Sequence, residues 1–406
     1  MPETESNDEP NRGGEPKGGL AALRDLAAVG VVLALVGAAV LVWARRQDGP
    51  TRGVRASREA APGGSVQAAF VGDQACAGCH PGEAAYHRRS GHSRALRRAT
   101  ESRAAKLLDG ESFPDEEDAD VLWSFALRDG ALTTRRAAGG RVESWVIDYA
   151  FGSGRHATTF VSLTGRAASH PVALEHRLTY FAKDGSFGTT PGQTKGSPVD
   201  PEEIKESGRE LGTEKTLECF GCHTTLLSAN GQGELDPATM VANISCERCH
   251  GPGRDHVSAA RLGAEDLRMP FGSGSGSGSN SAELQMRLCG QCHRHPDMAP
   301  AGSIEPDNLE IVRFQPVGLM QSKCYTRSRG ALSCTTCHDP HARVSNDRAA
   351  YESVCLSCHS APPKTVCGAS RSTGCVSCHM PELDSGQKVL FHDHWIRVRP
   401  PGPGPP

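Results

Sequence analysis

The chain has 406 residues, with 44 basic against 47 acidic side chains and a formal net charge of −3, a balance that gives no footprint for nucleic acid. Aromatic residues make up only 5% of it, and 46 Gly with 27 Pro imply many turns, so a large conventional apolar core is excluded too.

Residues 1–25 are polar and rich in Gly, Glu and Pro, and read as a disordered tail. A transmembrane anchor is expected over 26–44, where LAAVGVVLALVGAAVLVWA carries no charge and is long enough to span a bilayer. Trp43 suits an interfacial position at its end. Val42-Trp43-Ala44 also reads as a signal-peptidase site, but the polar leader and the length of the run favour retention. A Gly/Ala/Arg linker follows over 45–70. Its Arg45, Arg46, Arg52 and Arg55 outnumber Arg12, Lys17 and Arg24 upstream, so the positive-inside rule would hold the C-terminal part inside.

A first segment, 71–115, opens with CAGCH at 76–80. Glu83 to Leu108 then reads as a helix carrying His87, His92 and five arginines between Arg88 and Arg98, whose plain reading is a solvated basic face. Asp115 to Asp120 reads as a solvated acidic loop. A β-rich insert is expected over 116–195. VLWSFAL, ESWVIDYAF, HATTFVSL and HRLTYFA have period two and are separated by DG, GG, GSG and DG turn signals. Such a sheet needs no chemistry of its own beyond packing.

The region 196–395 repeats the first pentad six times: CFGCH at 219–223, CERCH at 246–250, CGQCH at 289–293, CTTCH at 334–338, CLSCH at 355–359 and CVSCH at 375–379. Residues 271–282 interrupt it with a flexible Gly/Ser loop, and 396–406 form a Pro/Gly tail. At this chain's own Cys and His frequencies, about 0.03 copies of the pattern would arise by chance.

In such a pentad two thiols form thioethers to a haem and the following His reaches the iron. The expected attachment residues are Cys76, Cys79, Cys219, Cys222, Cys246, Cys249, Cys289, Cys292, Cys334, Cys337, Cys355, Cys358, Cys375 and Cys378. The expected proximal ligands are His80, His223, His250, His293, His338, His359 and His379. Zinc ribbons and disulfide frameworks do not need a His after every second Cys. Fourteen of the 16 Cys are so used, leaving Cys324 and Cys367 as one disulfide or two buried free thiols.

The expected fold class is therefore a multihaem cytochrome c, mostly short α-helices and irregular loops wrapped around seven covalent haems c, with a small inserted antiparallel β-meander. Spacings of 27 residues from Cys219 to Cys246, then 21 and 20 across the last three pentads, imply closely placed haems. Haem attachment to such pentads takes place outside the inner membrane. That outweighs the charge bias and puts the haem domain of a single-pass inner-membrane protein on the periplasmic side.

Each iron needs a sixth ligand or leaves a vacancy. Ten non-pentad His remain: His87, His92, His156, His170, His176, His256, His295, His341, His392 and His394. His87/His92 and His392/His394 are too close to serve two irons per pair. Met380 follows a proximal His and cannot reach the opposite face of that iron.

SCERCHGPGRDH (245–256), SCTTCHDPH (333–341), CVSCHMP (375–381) and FHDHW (391–395) resemble multihaem cytochromes of the cytochrome c-554 and hydroxylamine-oxidoreductase-like group. FGSGRH before His156 and YHRRSGH before His92 are similar to that group too, although Tyr86 stands where another aromatic is usual. The resemblance covers roughly 70–395, and similar sequences carry cysteines where Cys324 and Cys367 fall. It implies His92, His256, His341 and His394 as distal ligands, with His156 behind them. The absence of a C-x-x-C-Lys pentad argues against an ammonia-forming nitrite reductase.

The expected function is electron transfer through a chain of haems, with redox proteins or quinol-linked donors as partners, the membrane engaged through the N-terminal helix, and possible homo-oligomers. The alternative is an oxidoreductase with one five-coordinate haem acting on a small nitrogen or sulfur compound. His176, Asp393 and Tyr180 are its candidate acid/base groups. A haem-based sensor, docking through the β-meander, is a third reading.

Overall fold

The computed structural model describes residues 66–164, 172–194, 204–265, 267, 269, 281–359, 373–384 and 388–399. The tail 1–25, the apolar run 26–44, most of the linker 45–70, the Gly/Ser loop up to 280, the end of the chain beyond 399, His170 and Cys367 lie outside them.

The strands that position the rest are β1 (Leu96–Arg98), β2 (Ser112–Pro114), β3 (Leu122–Arg128), β4 (Ala131–Ala138), β5 (Arg141–Ile147), β6 (Tyr149–Phe151), β7 (Ala157–Leu163), β8 (Ala173–Phe181), β9 (Ser186–Thr189), β10 (Ile204–Lys205) and β11 (Gly208–Leu211). β2 to β5 form a meander in chain order. The others form a second antiparallel sheet in the order β1-β6-β7-β8-β11-β10, with β9 also on β8. Asp129 and Gly130, at φ 52° and 74°, and Gly139 and Gly140, at 55° and 78°, close the two-residue turns of the meander. Left-handed backbone at both central residues gives such a turn the twist of its strands.

The sheets are larger than a small insert, and among the described residues strands form a substantial part beside the short helices. The second sheet takes β1 from before the β-rich stretch and β11 from after it, through Arg97↔Ala150 and Glu210↔Leu174. Strands of two to four residues are too short to show a period, so these additions were not legible.

The helix expected over Glu83–Leu108 is broken into Pro81–His87, a 3₁₀ turn at His92–Arg94, β1 and Arg103–Leu108. At the break the Ser90 hydroxyl accepts the Ser93 N–H at 3.2 Å, competing with the backbone ladder. The acidic stretch is not a solvated loop either. Asp115 accepts the Arg177 Nε–H at 2.8 Å and the Trp123 indole N–H at 3.1 Å; Glu117 also pairs with Arg177. Glu116 takes Lys388 Nζ at 2.7 Å and the Thr189 N–H at 2.8 Å.

One apolar cluster, with Trp123, Phe125, Leu132, Ile147 and Phe160, fills the β-rich part. A second, with Leu96, Tyr149, Val161 and Leu211, takes in Phe220 from the pentad CFGCH. Most buried apolar side chains lie before Gly212; the six later pentads have few around them. That distribution is what a core completed by porphyrins requires.

The longest described helices, Ala282–His293 and Arg348–His359, have 12 residues each. At 1.5 Å per residue they reach roughly 18 Å, short of the ~30 Å of a bilayer core. No helix among the described residues is long and apolar enough to cross a membrane. This corrects the expectation of a single-pass inner-membrane protein with a periplasmic haem domain. The run 26–44 on which it rested lies outside the described residues.

Candidate haem-binding sites

Every pentad sits on or ends a short helix: Asp73–Ala77, Thr213–Gly221, Cys246–His250, Ala282–His293, Cys334–Cys337, Arg348–His359 and Cys375–His379. Positions i, i+3 and i+4 of a helix share a face, so two thiols and an imidazole point the same way. Serine side chains cap two of these helices. Ser281 Oγ accepts the Leu284 N–H at 3.2 Å, and Ser333 forms a capping box with Thr336. All the cysteines among the described residues are free.

The pentads lie against one another. The Cys76 and Cys246 thiols are hydrogen-bonded, as are Cys222 with Cys292 and Cys289 with Cys334. Cys249 lies near Cys289 and Cys292, Cys337 near Cys355, and Cys355 near Cys375. This neighbourhood links all seven pentads, with the one at 289–293 as a branch point. Burial pushes the Cys219 and Cys249 thiols up to about 11, so without thioethers both stay protonated at neutral pH. Cys324 lies beside the Cys337 and Cys355 thiols and is free; Cys367 lies outside the described residues.

Four pentad histidines face a second imidazole. Ring centroids are 6.4 Å apart for His80 and His256, 6.2 Å for His293 and His92, 5.9 Å for His250 and His341, and 6.3 Å for His338 and His394. An iron about 2.0–2.1 Å from each imidazole nitrogen, with the ring centroid about 1.2 Å behind that nitrogen, would set two such rings about 6.5 Å apart. The donor set therefore fits a haem iron between each pair. Each pair joins one pentad His to one of the four leading distal candidates.

Backbone carbonyls set the tautomers. The Nδ1 atoms of His92, His256 and His394 lie 3.2, 3.0 and 2.9 Å from the carbonyl oxygens of Pro340, Leu267 and His392. Those of His223 and His379 lie 2.8 and 2.9 Å from the carbonyls of Ala95 and Arg397. A carbonyl only accepts, so Nδ1 carries the proton and Nε2 keeps the lone pair a metal needs. Burial pushes His394 down to about 4 and lowers His293, His223 and His338 as well, favouring the neutral, ligating form.

Close packing places His394. A Cβ on Gly318 would lie 2.7 Å from the Trp395 nitrogen and 2.9 Å from the His394 carbonyl carbon, so only glycine lets the C-terminal segment approach the helix Gln315–Gln321. The fully buried Ser322 hydroxyl donates to the His394 carbonyl at 3.1 Å and accepts the Ile396 N–H at 2.8 Å.

The remaining candidates are placed differently. His156 is exposed at the start of β7 and shows no histidine ring pair among the described residues; Arg155 beside it donates to the Val344 carbonyl at 2.6 Å. His392 is held at both nitrogens, by the Met380 carbonyl at 2.8 Å and Glu382 at 3.5 Å, leaving His394 as the donor of that neighbouring pair. His359 ends its helix exposed, next to residues outside the description. His223 packs edge-on against Phe151, with centroids 4.9 Å apart, which brings β6 over the second pentad.

Of the acid/base candidates, His176 is buried against Ser162 Oγ at 2.6 Å, Tyr180 lies in the first apolar cluster, and buried Asp393 pairs with Arg399 and Arg397. None faces a pentad histidine ring among the described residues. Phe151 and the glycine contact at Gly318 were missed from sequence, since neither an aromatic in a strand nor a lone helical glycine signals a haem site by itself.

A family model described as cytochrome c554 and c-prime matches residues 193–251. The chain is 24% identical over 191 residues to the multiheme cytochrome MtrA of Shewanella baltica, covering 43% of this chain and 55% of that protein. It is 21% identical over 393 residues to the dissimilatory sulfite reductase MccA of Wolinella succinogenes, covering 80% of this chain and 53% of that one. The chain thus spans about half the length of these curated relatives. Among solved structures it is similar to the outer cell wall cytochrome OcwA, with 16% identity, a TM-score of 0.44 and coverage of 81% of this chain and 80% of that one. The pentad-bearing region that carries the cytochrome c554 match, and the wider similarity to MtrA and MccA, make this chain a multihaem c-type cytochrome.

Proposed function

We propose that the chain holds seven haems c and passes electrons one at a time along them. The observation that carries this is the unbroken series of neighbouring pentad thiols, from Cys76–Cys246 to Cys355–Cys375. Haems held by neighbouring pentads of this kind would be close enough for rapid exchange. When bound, each haem supplies a one-electron couple. The chain's own residues do the rest. His80/His256, His293/His92, His250/His341 and His338/His394 are the proposed axial pairs of four irons, and His223, His359 and His379 the proximal ligands of the other three. Carbonyls behind Nδ1 keep the rings of His92, His256, His394, His223 and His379 oriented and basic. Redox proteins or quinol-linked donors are the proposed partners.

A second reading, an oxidoreductase acting on a small sulfur or nitrogen compound, is favoured by the similarity to the sulfite reductase MccA over most of the chain. Protein-film voltammetry separates the two. The carrier gives reversible waves for seven electrons that sulfite, nitrite and hydroxylamine leave unchanged. A catalytic current with any of them would replace it by the second reading.

A further inference from the structure

Glu247 stands between the two cysteines of the third pentad, yet its side chain serves the first. The residue is 4% exposed, and its carboxylate is taken up by backbone N–H groups. Oε1 accepts Val71 N–H at 2.9 Å and Gly253 N–H at 2.7 Å, and Oε2 accepts Gly72 N–H at 2.9 Å. An ionised carboxylate only accepts, so it suits a site made of donors alone. The clamp is reciprocal: Asp73 Oδ1 accepts the Cys246 N–H at 3.1 Å, and the Cys76 and Cys246 thiols are hydrogen-bonded. Gly253 has no room for a side chain, because a Cβ there would lie 2.9 Å from Val71 Cγ2 and 3.2 Å from Glu247 Oε1.

The three N–H groups stand at two telling places. Val71 and Gly72 lead into the helix Asp73–Ala77, which carries Cys76 and leads to His80. Gly253 caps the helix Arg254–Arg261, which carries His256, the ring facing His80 at 6.4 Å. One side chain thus holds the approach to both imidazoles of one pair, from inside a neighbouring attachment motif.

We propose that Glu247 is the positioning residue of the first haem, fixing the His80–His256 spacing and tying it to the third haem. This rests on the haem ligation proposed above. A carboxylate buried between two attachment motifs would also favour the oxidised state of the haems they would hold, so its removal should raise both potentials.

The test uses the haem-loaded full chain carrying Glu247→Gln. The amide keeps one acceptor but turns N–H groups toward an N–H donor, breaking the clamp without changing its volume. Intact mass should show the same haem number as wild type. Electron paramagnetic resonance should show a new high-spin signal equal to one haem, with an equal loss of low-spin signal that added imidazole restores. His256→Ala should give the same signal, and the double variant no more. A fully loaded Glu247→Gln protein with unchanged spin states and potentials would overturn the proposal.

Native-state hydrogen exchange decides the matter even if the variant does not load. The Val71, Gly72 and Gly253 amides of wild type, all outside regular helices and strands, should exchange at least about 100-fold slower than free amides. Exchange at the free rate would overturn the clamp. A wild-type mass lacking haems would instead refute the ligation itself.

Discussion

Replacing Arg177 by Met tests whether the acidic stretch before β3 is a structural clamp. Arg177 is 11% exposed in its side chain, Asp115 8% and Glu117 20%, so removing the guanidinium takes a counter-charge from two poorly solvated carboxylates. Breaking a buried pair in this one-sided way costs about 3–5 kcal/mol. At 1.36 kcal/mol per tenfold, the amides of β8 should exchange roughly two to nearly four powers of ten faster in the variant.

Acid adds a test of sign. Burial alone would raise the Asp115 carboxyl, but the Glu117 N–H, the Trp123 indole and Arg177 outweigh it and hold it below its ordinary 3.8. Glu116 is likewise held below 4.5 by Lys388 and Thr189 against its burial. Such groups contribute stability that is present above the unfolded value and lost as pH falls through the folded one. Wild type should therefore lose β8 protection below about pH 4. Without Arg177, burial raises Asp115, so the defect of the variant should shrink on acidification. A loss under about 1 kcal/mol at neutral pH, as expected for an exposed pair such as Lys215 with Glu218, 46% and 54% exposed, would refute the reasoning.

Three further outcomes are expected. Replacing Cys375 and Cys378 by Ala should lower the intact mass by one haem; an unchanged mass means that pentad is not an attachment site. Gly318→Ala should push the C-terminal segment off its helix and convert about one haem from low to high spin by loss of His394; Ser328→Ala, away from that contact, should not. Burial holds the His176 imidazole down at about 3, so the folded state resists a proton that the unfolded chain takes up below 6.5. Stability should fall by about 1.4 kcal/mol per pH unit from 6.5 downward, and His176→Gln should remove that slope in denaturant unfolding between pH 6.5 and 4.5.

What could be read in advance was chemistry written in adjacent residues. Each C-x-x-C-H contains its own reaction partners, so the candidate attachment sites are visible without a fold. His92, His256, His341 and His394 were picked out by their local motifs, and these four face pentad rings. Turns with both central residues in left-handed backbone, such as Asp129-Gly130, also announce themselves. The illegible parts depend on distant partners. Which pentad each distal histidine faces is set by long-range packing: His92 meets His293, 201 positions away, and nothing local encodes that. The acidic stretch 115–120 looked solvated because Arg177 lies 62 positions from Asp115. Edge strands such as β11 were hidden for the same reason, since their existence follows from unpaired groups on β8 rather than from their own side chains.

The most direct measurement is a quantitative electron paramagnetic resonance spectrum of the fully oxidised, haem-loaded protein. The account predicts low-spin ferric signals from at least the four haems that His80/His256, His293/His92, His250/His341 and His338/His394 would hold. A high-spin signal of more than three haems would contradict those four pairs.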